Sequence, residues 1–267
     1  MNYFEKFLYF MQKEMARPKA FGWFHLLCLC LSFLVLILLY HKGKNASEKQ
    51  LKIVLAFYGI IALILEIAKQ IVWSFNFDAA TNLITWDFQW YAFPFQLCTT
   101  PIYVSLTCLF LKKGTLRESL LAYLSFVTIL GSIVTMILPD SCFVETILVN
   151  IHTMYLHCGG FVVSIFLLMN GYVKVNYKNL KNAFLVFISL VSIALLLNTI
   201  IYNIGILNGE EFNMFYISPY FTTTLPIFKT VQEITPYPLY LMIYLLTIFT
   251  GELIVFYIAK IIGKVSN

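Results

Sequence analysis

A few residues able to do chemistry stand inside long apolar runs of this chain. Glu66, Lys69 and Gln70 interrupt the run 53–73, and Cys98 opens the run 95–111. His152 and His157 lie within 146–169, and Glu252 within 236–262. An ionisable side chain at membrane depth costs roughly 2.5–3.5 kcal/mol on insertion scales, so it marks a pathway or a site. A thiol buried in apolar surroundings is inert until a neighbouring base stabilises its thiolate. Paired with a histidine it becomes a nucleophile, and the histidine serves as general base and then general acid. Carboxylates and histidines alone would instead make a proton or ion relay.

The elements that must position these groups follow from composition. Hydrophobic residues make up 60% of the 267 residues and charged residues 12%, with a mean hydropathy of +0.82. A soluble domain is near a quarter charged, so that class is excluded. Spanning a hydrocarbon core of about 30 Å takes about 20 apolar residues in a helix. The runs 23–40, 53–73, 95–111, 120–138, 146–169, 183–202 and 236–262 meet or approach this length. The expectation is an all-α integral membrane protein, a single bundle of seven transmembrane helices over 23–267. The third run is short, and Pro94 and Pro101 give it an irregular start.

Residues 1–22 form a separate segment. Phe4, Phe7, Leu8, Met11 and Met15 recur at helical spacing between charged residues, the pattern of a short amphipathic helix lying in the interface. No apolar core or small-residue cleavage site of a signal peptide is present here. Basic residues concentrate in the loops 41–52, 112–118 and 170–182, whereas 74–94, 139–145 and 203–235 contain Lys229 among several carboxylates. The positive-inside rule puts the basic loops in the cytoplasm, with the N-terminus outside, the C-terminus inside and the cell membrane as location. The tail residues Lys6, Lys13, Arg17 and Lys19 run against this orientation. The net charge of +5 comes from the loops and implies no nucleic-acid partner. No metal spacing, phosphate loop or nucleotide fingerprint occurs, so no cofactor is expected.

Spacing narrows the candidates. Asn150, Thr153, His157, Gly160 and Ser164 follow a 3-4-3-4 pattern on one helix face. His152 is five residues from His157, about 140° away, which makes His157 the interior histidine. Glu66 lies roughly 10 Å below Trp73, Cys98 roughly 12 Å below Trp90 and His157 roughly 16 Å below Thr146, at about 1.5 Å per residue. These groups therefore share one zone in the outer half of the membrane, and His25 sits near the outer end of the first run. The plainer readings are a small packing cysteine, a structural Glu66 pair with Lys69 or Gln70, and Asn198 as an interhelical hydrogen bond.

The segments FPFQLCTTPIYV around Cys98, HTMYLHCGG around His157, and FNMFYISPYFTTTLPIF with Asn213 and Tyr216 resemble the YwaF-type family of bacterial integral membrane proteins. FGWFHLL with His25 and ITPYPLYLMIY fit it too. That family is similar to eukaryotic transmembrane acyltransferases that remodel phospholipids, and more distantly to membrane hydrolases of fatty-acid esters that pair a Thr with a His. The resemblance implies a Cys98 nucleophile and a His157 base, a thioester intermediate, and a membrane lipid or acyl chain as partner. Gln96, Thr99 or backbone N–H groups near Pro101 would meet the oxyanion, and Glu66 or Asn150 would orient His157. Two other readings stand beside it: a proton- or ion-coupled transporter using Glu66, His157 and Glu252, and a non-catalytic membrane scaffold.

Overall fold

The computed structural model describes residues 1–42 and 46–265. The chain is mostly helical. Among the described residues, 6 helices are long and apolar enough to cross a membrane. They are α2 (Trp23–Lys42), α3 (Glu48–Ser74), α5 (Thr115–Ile137), α6 (Ile147–Met169), α7 (Tyr177–Ile204) and α9 (Tyr237–Val265). The seventh expected span is different. Helix α4 covers only Thr100–Phe110, about 16 Å at 1.5 Å per residue. Pro101 occupies its first turn, where a missing N–H costs nothing, so residues 95–99 stay outside the helix.

Local chemistry sets the boundaries. Ser47 caps α3 in a capping box with Gln50, which satisfies two of the free N–H groups of the first turn. Asn176 caps α7 through the Asn179 N–H, and Gly205 ends it at φ 74°. A two-stranded hairpin, β1 (Phe75–Asp78) and β2 (Leu83–Trp86), follows α3 and pairs Phe75 with Trp86. The sequence pattern gives residues 74–94 as a loop, and the hairpin is a difference from it. The Thr81 hydroxyl and the Ala80 N–H both donate to Asp78 in its turn. These bonds hold the Asp78 carboxyl below its ordinary range.

One end of the bundle carries this hairpin; the other carries Glu48, which bridges to Arg117 and, at 3.7 Å, to Lys113. Helix α1 (Tyr3–Met11) docks at the hairpin end and buries Leu8 against Val72, Phe75 and Leu148. Phe4 and Phe7 stay exposed. The rest of the tail is tied down as well. Gln12 Nε2 donates to the Val72 carbonyl at 2.9 Å, Met15 N to Glu145 O at 2.8 Å and Ala20 N to Asp140 Oδ1 at 2.8 Å. Residues 1–22 are thus bonded to the bundle rather than lying apart from it.

Helix α6 packs against α2, α3 and α5, and α5 against α4, α6, α7 and α9. These two helices form the centre and are buried on nearly every side. Glycines allow the tightest approaches. A Cβ on Gly59 would stand 2.7 Å from Ser105 Oγ, and one on Gly160 would stand 2.9 Å from Ser132 Oγ.

Candidate active site

Cys98 lies in a turn immediately before α4, half-buried, with Thr99 as the cap residue. A thiol at a helix N-terminus faces unpaired N–H groups and the positive end of the helix dipole. The turn closes through Thr99 N and Thr100 N, which both donate to Gln96 O, at 3.0 and 3.2 Å. The Thr99 hydroxyl donates back to the same carbonyl. The backbone N–H of Leu97 has no acceptor among the described residues, and that of Cys98 meets only its own thiol. Cys98 packs against the buried cluster formed by Ala62 of α3, Ile102 of α4 and Leu156 of α6.

The strap leading to Cys98 is anchored at Ala92. Its carbonyl accepts from Lys69 Nζ at 3.3 Å and from Gln70 Nε2. Tyr103 OH donates to Pro94 O at 2.5 Å. A second buried segment, residues 212–218, lies beside the strap. Phe215 and Tyr216 sit at φ 59° and 61°, the left-handed region that costs a non-glycine residue of order 1–3 kcal/mol. Side chains offset this by satisfying the backbone. Gln96 donates to Asn213 O at 3.0 Å and accepts from Phe215 N at 2.9 Å. Asn198 does the same for Met214, at 3.0 and 2.8 Å. Asn213 Oδ1 accepts from Ser218 N, and Tyr240 OH donates to Tyr216 O. Gln96 is therefore a clamp, with its amide already in use, and Asn198 holds a loop rather than a neighbouring helix.

Strap and loop wall an open pocket of about 370 Å³, lined by Tyr91, Gln96, Glu210, Asn213, Tyr216 and Thr222 among others. Burial, with the Glu210 carboxylate nearby, pushes the Tyr91 phenol above its ordinary pKa. Burial does the same to Tyr216, with Cys98 and Cys142 as further neighbours. Both phenols thus stay neutral and able to donate.

His157 is buried and has no hydrogen-bond partner among the described residues. Its stripe does face inward: Gly160 abuts Thr128 and Ser132, and Ser164 Oγ donates to Leu124 O. The expected orienting groups are engaged elsewhere. Asn150 binds both the N–H and the carbonyl of Val144. Glu66 pairs with His152, not His157: His152 Nε2 stands 2.6 Å from Glu66 Oε2, and Lys69 Nζ 2.7 Å from Glu66 Oε1. Gln70 adds a 3.0 Å hydrogen bond to the same carboxylate.

His152 is the residue that the face argument passed over. That argument allows α6 one inward stripe, whereas α6 packs against α2, α3 and α5 and buries His152 as well as His157. The usable signal was Glu66 itself, a buried carboxylate in need of a partner. His25 is fully buried and accepts at Nδ1 from Phe21 N at 2.9 Å, away from Cys98. Glu252 is fully buried, and neither carboxylate oxygen has a partner among the described residues. Among the described residues no group of His, Cys, Asp and Glu converges to hold a metal.

The model of the TMEM164 family matches residues 20–257. The chain belongs to the TMEM164 family. The match takes in α2, the strap, the Cys98 turn, both α6 histidines and the buried 212–218 loop, and it leaves out α1. No curated protein and no solved structure matches the chain.

Proposed function

We propose that this membrane protein is a lipid acyltransferase, or a hydrolase of lipid esters, in which Cys98 carries the acyl group and His157 moves the proton. The observation that carries the reading is the setting of Cys98. It occupies a non-helical turn at the start of a short helix, packed against the cluster that includes Leu156, the chain neighbour of His157, and two residues from Gln96, which lines the open pocket. A structural cysteine needs no such irregular backbone. The resemblance to YwaF-type proteins and to transmembrane acyltransferases points the same way.

In the first half-reaction His157 takes the thiol proton, and the thiolate attacks the ester carbonyl. The tetrahedral oxyanion is met by the N–H groups of Leu97 and Cys98. Collapse breaks the ester C–O bond, and His157 returns the proton to the departing alkoxide, leaving a thioester on Cys98. An incoming alcohol, or water in the hydrolase, reverses these roles. The fatty chain enters sideways from lipid.

The same reading gives the strap and α4 as the seventh crossing, because α3 ends beside the hairpin and α5 begins beside Glu48. The basic-loop bias supports a cytoplasmic Glu48 end, with the N-terminus outside and the C-terminus inside. A relay through Glu66, His157 and Glu252 has less support: Glu66 is already held by Lys69 and His152, and Glu252 has no polar partner among the described residues.

Purified protein incubated with phospholipid should carry a hydroxylamine-sensitive acyl mass on the Cys98 peptide. Cys98→Ala abolishes it, and His157→Ala slows it roughly 10²–10⁴-fold, the usual loss for a general base. Lipid turnover that survives Cys98→Ala but not Glu66→Gln would replace acyl transfer by the relay.

A further inference from the structure

The Glu66, Lys69 and His152 group asks for an explanation beyond stability. All three side chains are buried, and hydrophobic replacements of a buried ion group are often neutral or stabilising. Its position relative to Cys98 is specific. Ala62, Glu66 and Lys69 follow one face of α3, and His152 and Leu156 lie four apart on α6. Ala62 and Leu156 belong to the buried cluster against which Cys98 packs. The ion group therefore begins one helical turn, about 5.4 Å, from the contacts of the thiol.

Lys69 also touches the strap that carries Cys98, through the Ala92 carbonyl. An ammonium has three N–H groups, and Glu66 with Ala92 occupies two of them. Glu66 contributes one negative charge and Lys69 one positive charge.

We infer that Lys69, held by Glu66 and His152, is a positioning residue for Cys98: it fixes the strap and supplies the positive charge against which the thiolate forms. This rests on the proposed role of Cys98 as nucleophile. The other ionisable groups around the thiol are Tyr58 of α3, Tyr123 of α5, and Cys142 and Tyr216 from the loops, with Tyr103 of α4 and Tyr155 of α6 packed against the same cluster. None of them carries a fixed positive charge.

The test is the alkylation rate of Cys98 by iodoacetamide as a function of pH, read by peptide mass on the reconstituted full chain, with Cys142 as internal reference. Lys69→Gln keeps a donor for Ala92 but removes the charge. It should slow Cys98 about tenfold or more at neutral pH and move its profile to higher pH, as loss of an adjacent opposite charge does, while Cys142 is unchanged. Lys69→Arg should restore the rate. If Lys69→Gln does not fold, the neutral pair Glu66→Gln with Lys69→Gln replaces it and should show the same slowing. An unchanged Cys98 rate, or equal slowing by Gln and Arg with no change in the pH profile, overturns the inference. Lipid turnover that persists in Cys98→Ala would overturn the acyltransferase reading instead, whatever the alkylation shows.

Discussion

Gly59→Ala tests whether the close approach of α3 and α4 sets the position of Cys98. The new methyl carbon would stand 2.7 Å from Ser105 Oγ, 2.8 Å from Leu106 Cδ2 and 2.9 Å from Leu106 Cγ. Ser105 is fully buried and already donates to Ile102 O, so it has little room to turn aside. The helices must separate by a few tenths of an ångström or more. Overpacking of this kind costs about 1–3 kcal/mol. At roughly 3 °C per kcal/mol for a chain of this size, the midpoint of thermal unfolding should fall by about 3–9 °C. The assay is size-exclusion chromatography of the detergent-solubilised protein after a temperature series. Leu106→Ala added to Gly59→Ala makes space and should recover part of the loss, because contacting residues couple. Acylation of Cys98 should fall in the single variant and recover with stability in the double. An unchanged midpoint would mean that α4 is not held at this distance, and the packing account of the turn would fail with it.

Gln96→Ala leaves the Asn213 carbonyl and the Phe215 N–H without partners in a buried loop, which should cost about 1–3 kcal/mol; limited proteolysis should then cut within residues 205–225, and continued resistance would count against the clamp. Single cysteines at Asn208 and Asn176, in a chain otherwise free of reactive cysteines, should be labelled in intact cells by an impermeant reagent at 208 and not at 176; the reverse pattern inverts the orientation. Burial raises the Cys142 thiol, so its alkylation should still climb above about pH 9, where an exposed cysteine is already mostly thiolate. A plateau near pH 8.5–9 would show Cys142 to be open to water.

Much of the arrangement was legible in residue types. Of the stripe Asn150, Thr153, His157, Gly160 and Ser164, the last two do turn toward α5, and Glu66 does pair with Lys69 and Gln70. The irregular start of the third run was visible in Pro94 and Pro101, though not its extent. The partners of Gln96, Asn150 and Asn198 were out of reach. Each of these side chains binds loop backbone, and loop backbone carries no periodic signal. A helical-wheel argument passes over His152 because it allows one inward stripe, whereas α6 packs against three helices.

The membrane class, the long apolar runs and the buried polar residues are properties of the sequence alone. Lipid offers no hydrogen bonds, so length and polarity along the chain suffice to recognise a span. Which buried groups meet was decided only in three dimensions. Contacts between helices depend on their rotation and relative depth, and these emerge when every helix packs at once. So Glu66 meets His152 rather than His157, α4 shortens to Thr100–Phe110, and Phe215 and Tyr216 are held left-handed by Gln96, Asn198 and Tyr240 from three separate elements.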